Sequence, residues 1–298
     1  MTLAVTRVTP DVAARAAAFR GRVQSVHRAA AYLAIEDPPA LFVVALDSVG
    51  GQPGGILVSG VGDIRDLGIR AGMPAVAGDS RIAIADAGIR LDLAGAPMWS
   101  ATLPVFADVV SAEVLAQTLR LARGVARRGA SGRGFAPLLV GRDAADDPFV
   151  RAARPHLAAI RRALDTGDAE CLCEAAVSLI GLGVGLTPSG DDLLVGLMAG
   201  LFATANPLAP VVAAAVESAA DERTTTIGAA SLRRAADGEF AERLHDVVRA
   251  IGTGAGPDLD ATVRRAAACG STSGIDTLVG LFVALDGAVT AAAIAVAS

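Results

Sequence analysis

A helix start that occurs twice constrains this 298-residue chain more than any other feature. Gly181 to Leu201 reads GLGVGLTPSGDDLLVGLMAGL, a glycine-rich approach that passes through Thr187-Pro188-Ser189-Gly190-Asp191-Asp192 into an apolar helix. Ser271 to Leu281, STSGIDTLVGL, repeats Thr187 to Leu197 without a gap 84 positions further on, with seven of eleven residues identical. In each copy a serine, a glycine and an aspartate three residues after the serine match a capping box, in which the hydroxyl and carboxylate satisfy first-turn amides. Such a start carries the positive end of the helix dipole and can face an anion or a carbonyl oxygen. Recurrence in one chain points to two halves of one site or to an old duplication.

The glycines after each start carry a second message. Gly196 and Gly200 lie four apart, as do Gly280 and Ala284. A small-residue face lets helices approach closely, so the two equivalent helices are expected to pack on each other or on a common neighbour. Crossing near their N-termini would bring both starts to one pocket.

Composition narrows the function classes. Hydrophobic residues make up 53% of the chain and aromatics only 3%, so alanine, valine and leucine must fill the core, which favours closely packed helices. The net charge is −5 and no arginine cluster is backed by aromatics, which argues against a nucleic-acid partner. The absence of lysine excludes Schiff-base chemistry and a Walker-type phosphate lysine. Cys171, Cys173 and Cys269 have neither disulfide-framework nor zinc spacing and read as buried thiols. His27, His156 and His245 are scattered, without metal-ligand spacing. The chain opens without a charged-then-apolar leader, which makes a cytoplasmic location the expectation. Two apolar stretches read as buried helices and not membrane spans: 193–216 is broken by Asn206, Pro207 and Pro210, and 277–297 carries Asp286.

Along the chain the apolar period changes. Val12, Ala16, Phe19, Val23 and Val26 fit a helix over 11–35, stopped by Asp37-Pro38-Pro39. Residues 41–46, 55–58, 81–84 and 89–93 then read as short strands, and Trp99 is expected to cover their core. A helix follows from about Ser111, then a basic, glycine-rich turn to Gly134, and residues 135–141 read as a short strand or extended crossing. Helices are expected over 149–166, 168–181, 189–204, 208–221, 225–236, 239–252, 258–269 and 273–297. The fold expectation is therefore α+β. A small antiparallel sheet or barrel with flanking helices fills 1–145, and an all-α region over 146–298 holds both Ser-Gly-x-Asp starts.

The residues of the two starts suggest a ligand. Asp191, Asp192 and Asp276 would repel a bare phosphate, whereas an amide or carbamoyl group offers NH2 donors to carboxylates and an oxygen to helix amides. A magnesium ion bridging the carboxylates fits the same pattern, although no cofactor is firmly implied. Asp192, Asp276, Ser189 and Ser273 are the candidate catalytic residues. Gly183, Gly185, Thr187, Gly190, Asp191, Ser271, Thr272 and Gly274 are candidate ligand contacts. So are Thr224 and Thr225, one of them an N-cap, and Arg223, whose fork suits a carboxylate or phosphate but equally an ion pair with Glu217 or Asp221.

GLGVGLTPSGDDLLVGL, the Arg223-Thr224-Thr225-Thr226 stretch and GSTSGIDTLVGL together resemble the AllH-like family, from about Ala175 to the end. The resemblance implies one subunit of an oxamate carbamoyltransferase of allantoin (purine) catabolism, working with an FdrA-like subunit and a subunit of a second family. It implies a reaction of oxalurate and phosphate giving oxamate and carbamoyl phosphate, or the reverse. A common form of the second motif, His-Thr-Ser-Gly, is here Ser271-Thr272-Ser273-Gly274, which removes a histidine from the expected site. The expected function is binding of a carbamoyl compound or carbamoyl phosphate within that complex. The alternatives are a non-catalytic assembly or regulatory subunit and, from another class, a free-standing amide hydrolase.

Overall fold

The computed structural model of the protein describes residues 1–105, 111–129, 133–140, 147–254 and 258–297. They divide into two compact units, Met1–Thr102 and Leu103–Ser298.

The first unit is an eight-stranded closed barrel. Its strands are β1 (Thr2–Val8), β2 (Ala18–Val26), β3 (Ala30–Ile35), β4 (Ala40–Leu46), β5 (Gly55–Ser59), β6 (Pro74–Gly78), β7 (Arg81–Ile84) and β8 (Ile89–Asp92). Around the barrel they run β1-β5-β4-β3-β2-β6-β7-β8. The pairings are antiparallel except β4–β5 and the closing β8–β1 contact, which are parallel. Closure leaves no strand edge to template aggregation. Inward side chains alternate along the strands: Phe19 and Val23 on β2, Leu33 and Ile35 on β3, Phe42 and Val44 on β4, Ile82 and Ile84 on β7. Phe19 meets Phe42 edge-to-face, with centroids 5.8 Å apart.

The helix expected over 11–35 is not formed. Only α1 (Pro10–Arg15) is helical, and β2 and β3 occupy the rest. Residues four apart share a face in a strand as well as in a helix, so Phe19 and Val23 satisfied both periods. Gly21 decides for the strand, because a Cβ there would collide with the Ala34 carbonyl of β3. Trp99 is half-buried and lies on Gly51 in the loop before β5, where an added Cβ would sit 2.6 Å from its ring.

The second unit is helical: α2 (Ala112–Gly129), α3 (Ala136–Val140), α4 (Pro148–Thr166), α5 (Ala169–Val177), α6 (Ser189–Ala203), α7 (Ala209–Arg223), α8 (Thr226–Ala236), α9 (Glu242–Gly252), α10 (Asp258–Ala267) and α11 (Ser273–Ala297). The expected helices after 148 are all present. The stretch 135–141, read as extended, instead holds the short helix α3. The unit break precedes α2, whose partners α10 and α11 lie in the same unit, whereas the polar stretch at 143–148 suggested 145/146. Residues 143–146 of that stretch lie outside the described residues. Asp147 and Asp168 cap α4 and α5 by accepting from first-turn amides, and Gly167 ends α4 with a left-handed φ of 72°.

At the centre of this unit α6 packs on α11. All of α6 is buried except Val195 and Phe202. A Cβ at Gly196 would collide with the Thr277 carbonyl, and one at Gly280 with the Leu193 carbonyl. These pairs exchange under the 84-residue offset, so the contact has a local two-fold symmetry. Gly200 lies against Ala284, its own counterpart. The segment Ser273–Ala291 is long and apolar enough to cross a membrane, yet 67% of it is buried within this protein, against α2, α4, α6 and α10.

Gly196→Ala should therefore force two backbones apart and destabilise the protein by about 2–3 kcal/mol or more. Gly124→Ala, in the interior of α2 with only Arg128 Nη1 near the new methyl at 3.7 Å, should stabilise by about 0.5–1 kcal/mol. Urea denaturation of the two variants beside the wild type checks both signs.

Candidate functional site

The contacts of α6 and α11 advance together along both helices: Gly196 sits by Thr277 and Leu281, and Gly200 by Leu281 and Ala284. The helices therefore run in the same direction, and both N-termini emerge at one end. There the two starts meet, with Thr187 Oγ1 3.2 Å from Ser273 Oγ. The relation between the copies is reciprocal. The hydroxyls of Ser273 and Thr187 bear on Asp192, and those of Ser189 and Thr272 bear on Asp276.

The start of α6 does not use the expected capping box. Pro188 is its N-cap, Ser189 is already its first helical residue, and no side chain caps it. Loop carbonyls take the amides instead: Gly190 N–H donates to Leu182 O at 2.8 Å, Asp191 N–H to Pro188 O at 2.9 Å, and in the second copy Gly274 N–H to Cys269 O at 3.0 Å. Gly190 and Gly274 make this approach feasible. A Cβ at Gly190 would collide with the Leu179 carbonyl, and one at Gly274 with the Ala266 carbonyl. These glycines therefore seat each helix start on the segment before it, and their amides do not face a ligand. The serine hydroxyls and the second aspartates are left for other partners.

The three carboxylates differ in use. Asp191 is committed to the scaffold, accepting from Gly181 N–H at 2.8 Å and from the Thr224 hydroxyl. Burial raises its pKa, and those two donors pull it back. Its second-copy counterpart is Ile275, so this cross-link has no equivalent. Asp192 and Asp276 are both buried, the latter with no exposed surface. Burial pushes the Asp192 carboxyl well above the usual carboxylate range; Ser273 opposes this, the charge of Asp276 adds to it, Thr187 opposes, and Asp191 adds. Burial likewise raises Asp276 from 3.8 to about 6, against the Phe135 amide and the hydroxyls of Ser189 and Thr272. Phe135 N–H donates to Asp276 Oδ1 at 2.6 Å. Among the described residues, Oδ2 of Asp192 and Oδ2 of Asp276 have no hydrogen-bond partner.

The other sequence candidates are placed as follows. Gly183 has φ of 127°, and a Cβ there would lie 2.7 Å from Ser189 N, so the loop needs glycine to pass the helix start. Gly185 lies at the open loop tip between exposed Val184 and Leu186. Thr225 caps α8 by accepting from Gly228 N–H at 2.9 Å and donates to Leu186 O, which ties the loop to that helix. Arg223 is exposed and makes no ion pair among the described residues; Asp221, one partner considered for it, pairs with Arg233. Ser271 is exposed and Thr272 half-buried.

Three contributors were not anticipated. Gly134, with φ of 58°, lets the turn before α3 close over Asp276, since a Cβ there would lie 2.6 Å from Oδ1 and 2.7 Å from Oδ2. Cys269, in the turn between α10 and α11, senses the charge of Asp192, and Arg243 on α9 hydrogen-bonds its thiol. Burial raises the Cys269 pKa, against the charge and hydrogen bond of Arg243. Only the Gly-Phe pair before an apolar run signals the Gly134 turn, and nothing local links Arg243 to the motifs. No group of three or more His, Cys, Asp or Glu side chains among the described residues is arranged to hold a metal ion.

Residues 179–285 match the family model of oxamate carbamoyltransferase subunit AllH, and residues 5–98 match that of the AllH family N-terminal domain. No solved structure matches the chain.

The Asp276 shift sets a pH dependence. Between pH 4 and 6 the folded state keeps a proton that the unfolded chain has lost, so this contribution to stability is complete below about 4 and lost as pH rises through about 6. It amounts to about 3 kcal/mol. Asp276→Asn should flatten that decline while still accepting from Phe135, leaving the loss at higher pH that Asp192 contributes. Chemical denaturation of wild type and variant across pH 4–8 measures the difference.

Proposed function

Since this chain belongs to the AllH family of oxamate carbamoyltransferase subunits, we propose that the starts of α6 and α11 form one pocket for the carbamoyl group of a carbamoyl compound or of carbamoyl phosphate. The reciprocal pairing of Asp192 with Ser273 and of Asp276 with Ser189 supports this reading. A carbamoyl group presents an NH2 on one side and an oxygen on the other. Two carboxyls and two hydroxyls facing each other across a symmetric contact offer acceptors and donors to both. The unpartnered Oδ2 atoms are the acceptors for the NH2, and Ser189, Ser273 or a protonated carboxyl donates to the oxygen. Because backbone carbonyls occupy first-turn amides, side chains carry this task instead of an amide hole.

For the anionic end of the substrate, Arg243 beside Cys269 is one candidate cation, with exposed Arg223 the other. With no activated nucleophile among the described residues, transfer proceeds by positioning and electrostatics in this reading. A subunit implies others. In this reading they are an FdrA-like protein and a member of a second family, acting in the cytoplasm on oxalurate and phosphate in purine catabolism.

One observation favours a second reading. Asp276 has no exposed surface and serves the Phe135 amide, as a purely structural carboxylate would in a non-catalytic assembly subunit. Turnover of the reconstituted complex separates the two. Asp192→Asn should lower kcat/KM about 100-fold, the range of a lost acid, base or oriented hydrogen bond, and Ser189→Ala or Ser273→Ala about 10-fold. Undiminished turnover in Asp192→Asn and Asp276→Asn, with circular dichroism unchanged, would transfer the chemistry to the other subunits.

A further inference from the structure

We propose that Thr224 and Thr225, in the turn between α7 and α8, are positioning residues that grip the glycine loop 181–187 at both ends and so set the Thr187 hydroxyl against Ser273. This rests on the pocket reading above. It gives a role to the Arg-Thr-Thr-Thr stretch, which the sequence offers only as candidate ligand contacts.

Polar ties carry the order of this loop. Gly181, Gly183 and Gly185 have φ of 77°, 127° and 103°, and glycine loses more conformational freedom on ordering than any other residue. Leu182 packs on the core and its carbonyl accepts from Gly190 N–H at 2.8 Å, but Val184 and Leu186 are exposed and add little burial. At the entry, the Thr224 hydroxyl donates to Asp191 Oδ2 while Oδ1 of the same carboxylate accepts from Gly181 N–H at 2.8 Å. A Cβ on Gly181 would collide with the Arg223 carbonyl, so loop and turn meet backbone to backbone. At the exit, the Thr225 hydroxyl donates to Leu186 O and accepts from Gly228 N–H at 2.9 Å. Position 228 needs glycine for the same reason: a Cβ there would collide with Asp191 Oδ2 and lie 2.7 Å from Thr224 Oγ1.

Thr187 is the next residue after the exit tie, and its Oγ1 lies 3.2 Å from Ser273 Oγ. Both hydroxyls bear on Asp192, and both residues are half-buried, so this corner of the two starts keeps surface open to solvent. The second copy shows what the ties are for. Residues 268–272 alone join α10 to α11, whereas 178–188 separate α5 from α6, and the counterpart of Asp191 is Ile275. Of the two starts, the carboxylate tie is present only in the copy whose long loop must deliver a hydroxyl. Misplacing a positioned group by about 1 Å can cost about 100-fold in rate, so a slack loop would be felt in turnover before it is felt in stability.

The test combines kinetics of the reconstituted complex, with oxalurate and inorganic phosphate, and amide hydrogen exchange of residues 182–187. Thr224→Val has nearly the same shape but cannot donate; it should quicken that exchange about 10-fold and lower kcat about 10-fold, with KM within about threefold. Thr224→Ser keeps the hydroxyl and should restore both. In a Thr187→Val background, itself about 10-fold slower, Thr224→Val should cost nothing further, because it acts through that hydroxyl. Additive losses in the double variant, or unchanged kcat and KM in Thr224→Val, would overturn the positioning role, and the pocket stands if Asp192→Asn still loses turnover. Undiminished turnover in Asp192→Asn as well would remove the pocket too. Should Thr224→Val not fold, Thr225→Asp decides by the same measurements, since aspartate keeps the cap on Gly228 N–H but cannot donate to Leu186 O.

Discussion

The contact between α6 and α11 is the constraint on which the helical unit depends. Two backbones touch where Gly196 faces Thr277 and Gly280 faces Leu193, and no side chain fits between them. Such an approach gains dispersion contacts along both helices, but only in one register, because a shift would place leucine or valine where glycine is needed. Register then dictates everything at the N-terminal end. The parallel course of the helices sets Thr187 beside Ser273, and the local two-fold gives Asp192 and Asp276 each a hydroxyl from the opposite copy.

A second constraint follows from burial. Two carboxyls at the edge of an alanine- and leucine-rich core lose solvation, which raises the proton affinity of both against the donors that reach them. The glycines at 183, 190 and 274 allow close backbone approach around the same spot, while Gly134 folds a remote turn onto Asp276. Close backbone packing at the helix starts thus accompanies two carboxyl oxygens that have no hydrogen-bond partner among the described residues.

Legibility in the sequence was uneven. The helices after 148 were readable because apolar period, proline and glycine stops and aspartate caps agree there, as at Asp147 and Gly167. Strands β4, β5, β7 and β8 were readable from short branched runs. Strands β2 and β3 were not, because Phe19 and Val23 lie at a spacing common to helix and strand, and only pairing across Gly21 separates them. At the start of α6, the capping box was the natural reading of Ser-x-x-Asp. It gave way because Pro188 took the cap position and loop carbonyls reached the amides first.

By itself the sequence determined that the chain carries a duplicated Ser-Gly-x-Asp helix start, a small-residue face behind each copy, and a helical C-terminal half. All of these are local properties of period, spacing and residue size. The tertiary structure alone decided which groups meet. Asp276 finds its donor in Phe135, 141 positions away, Asp191 is claimed by Thr224, and Arg243 comes to lie beside Cys269. The physical reason is that a buried carboxyl takes whatever donor the packing of other helices brings within about 3 Å, and no local pattern encodes that choice.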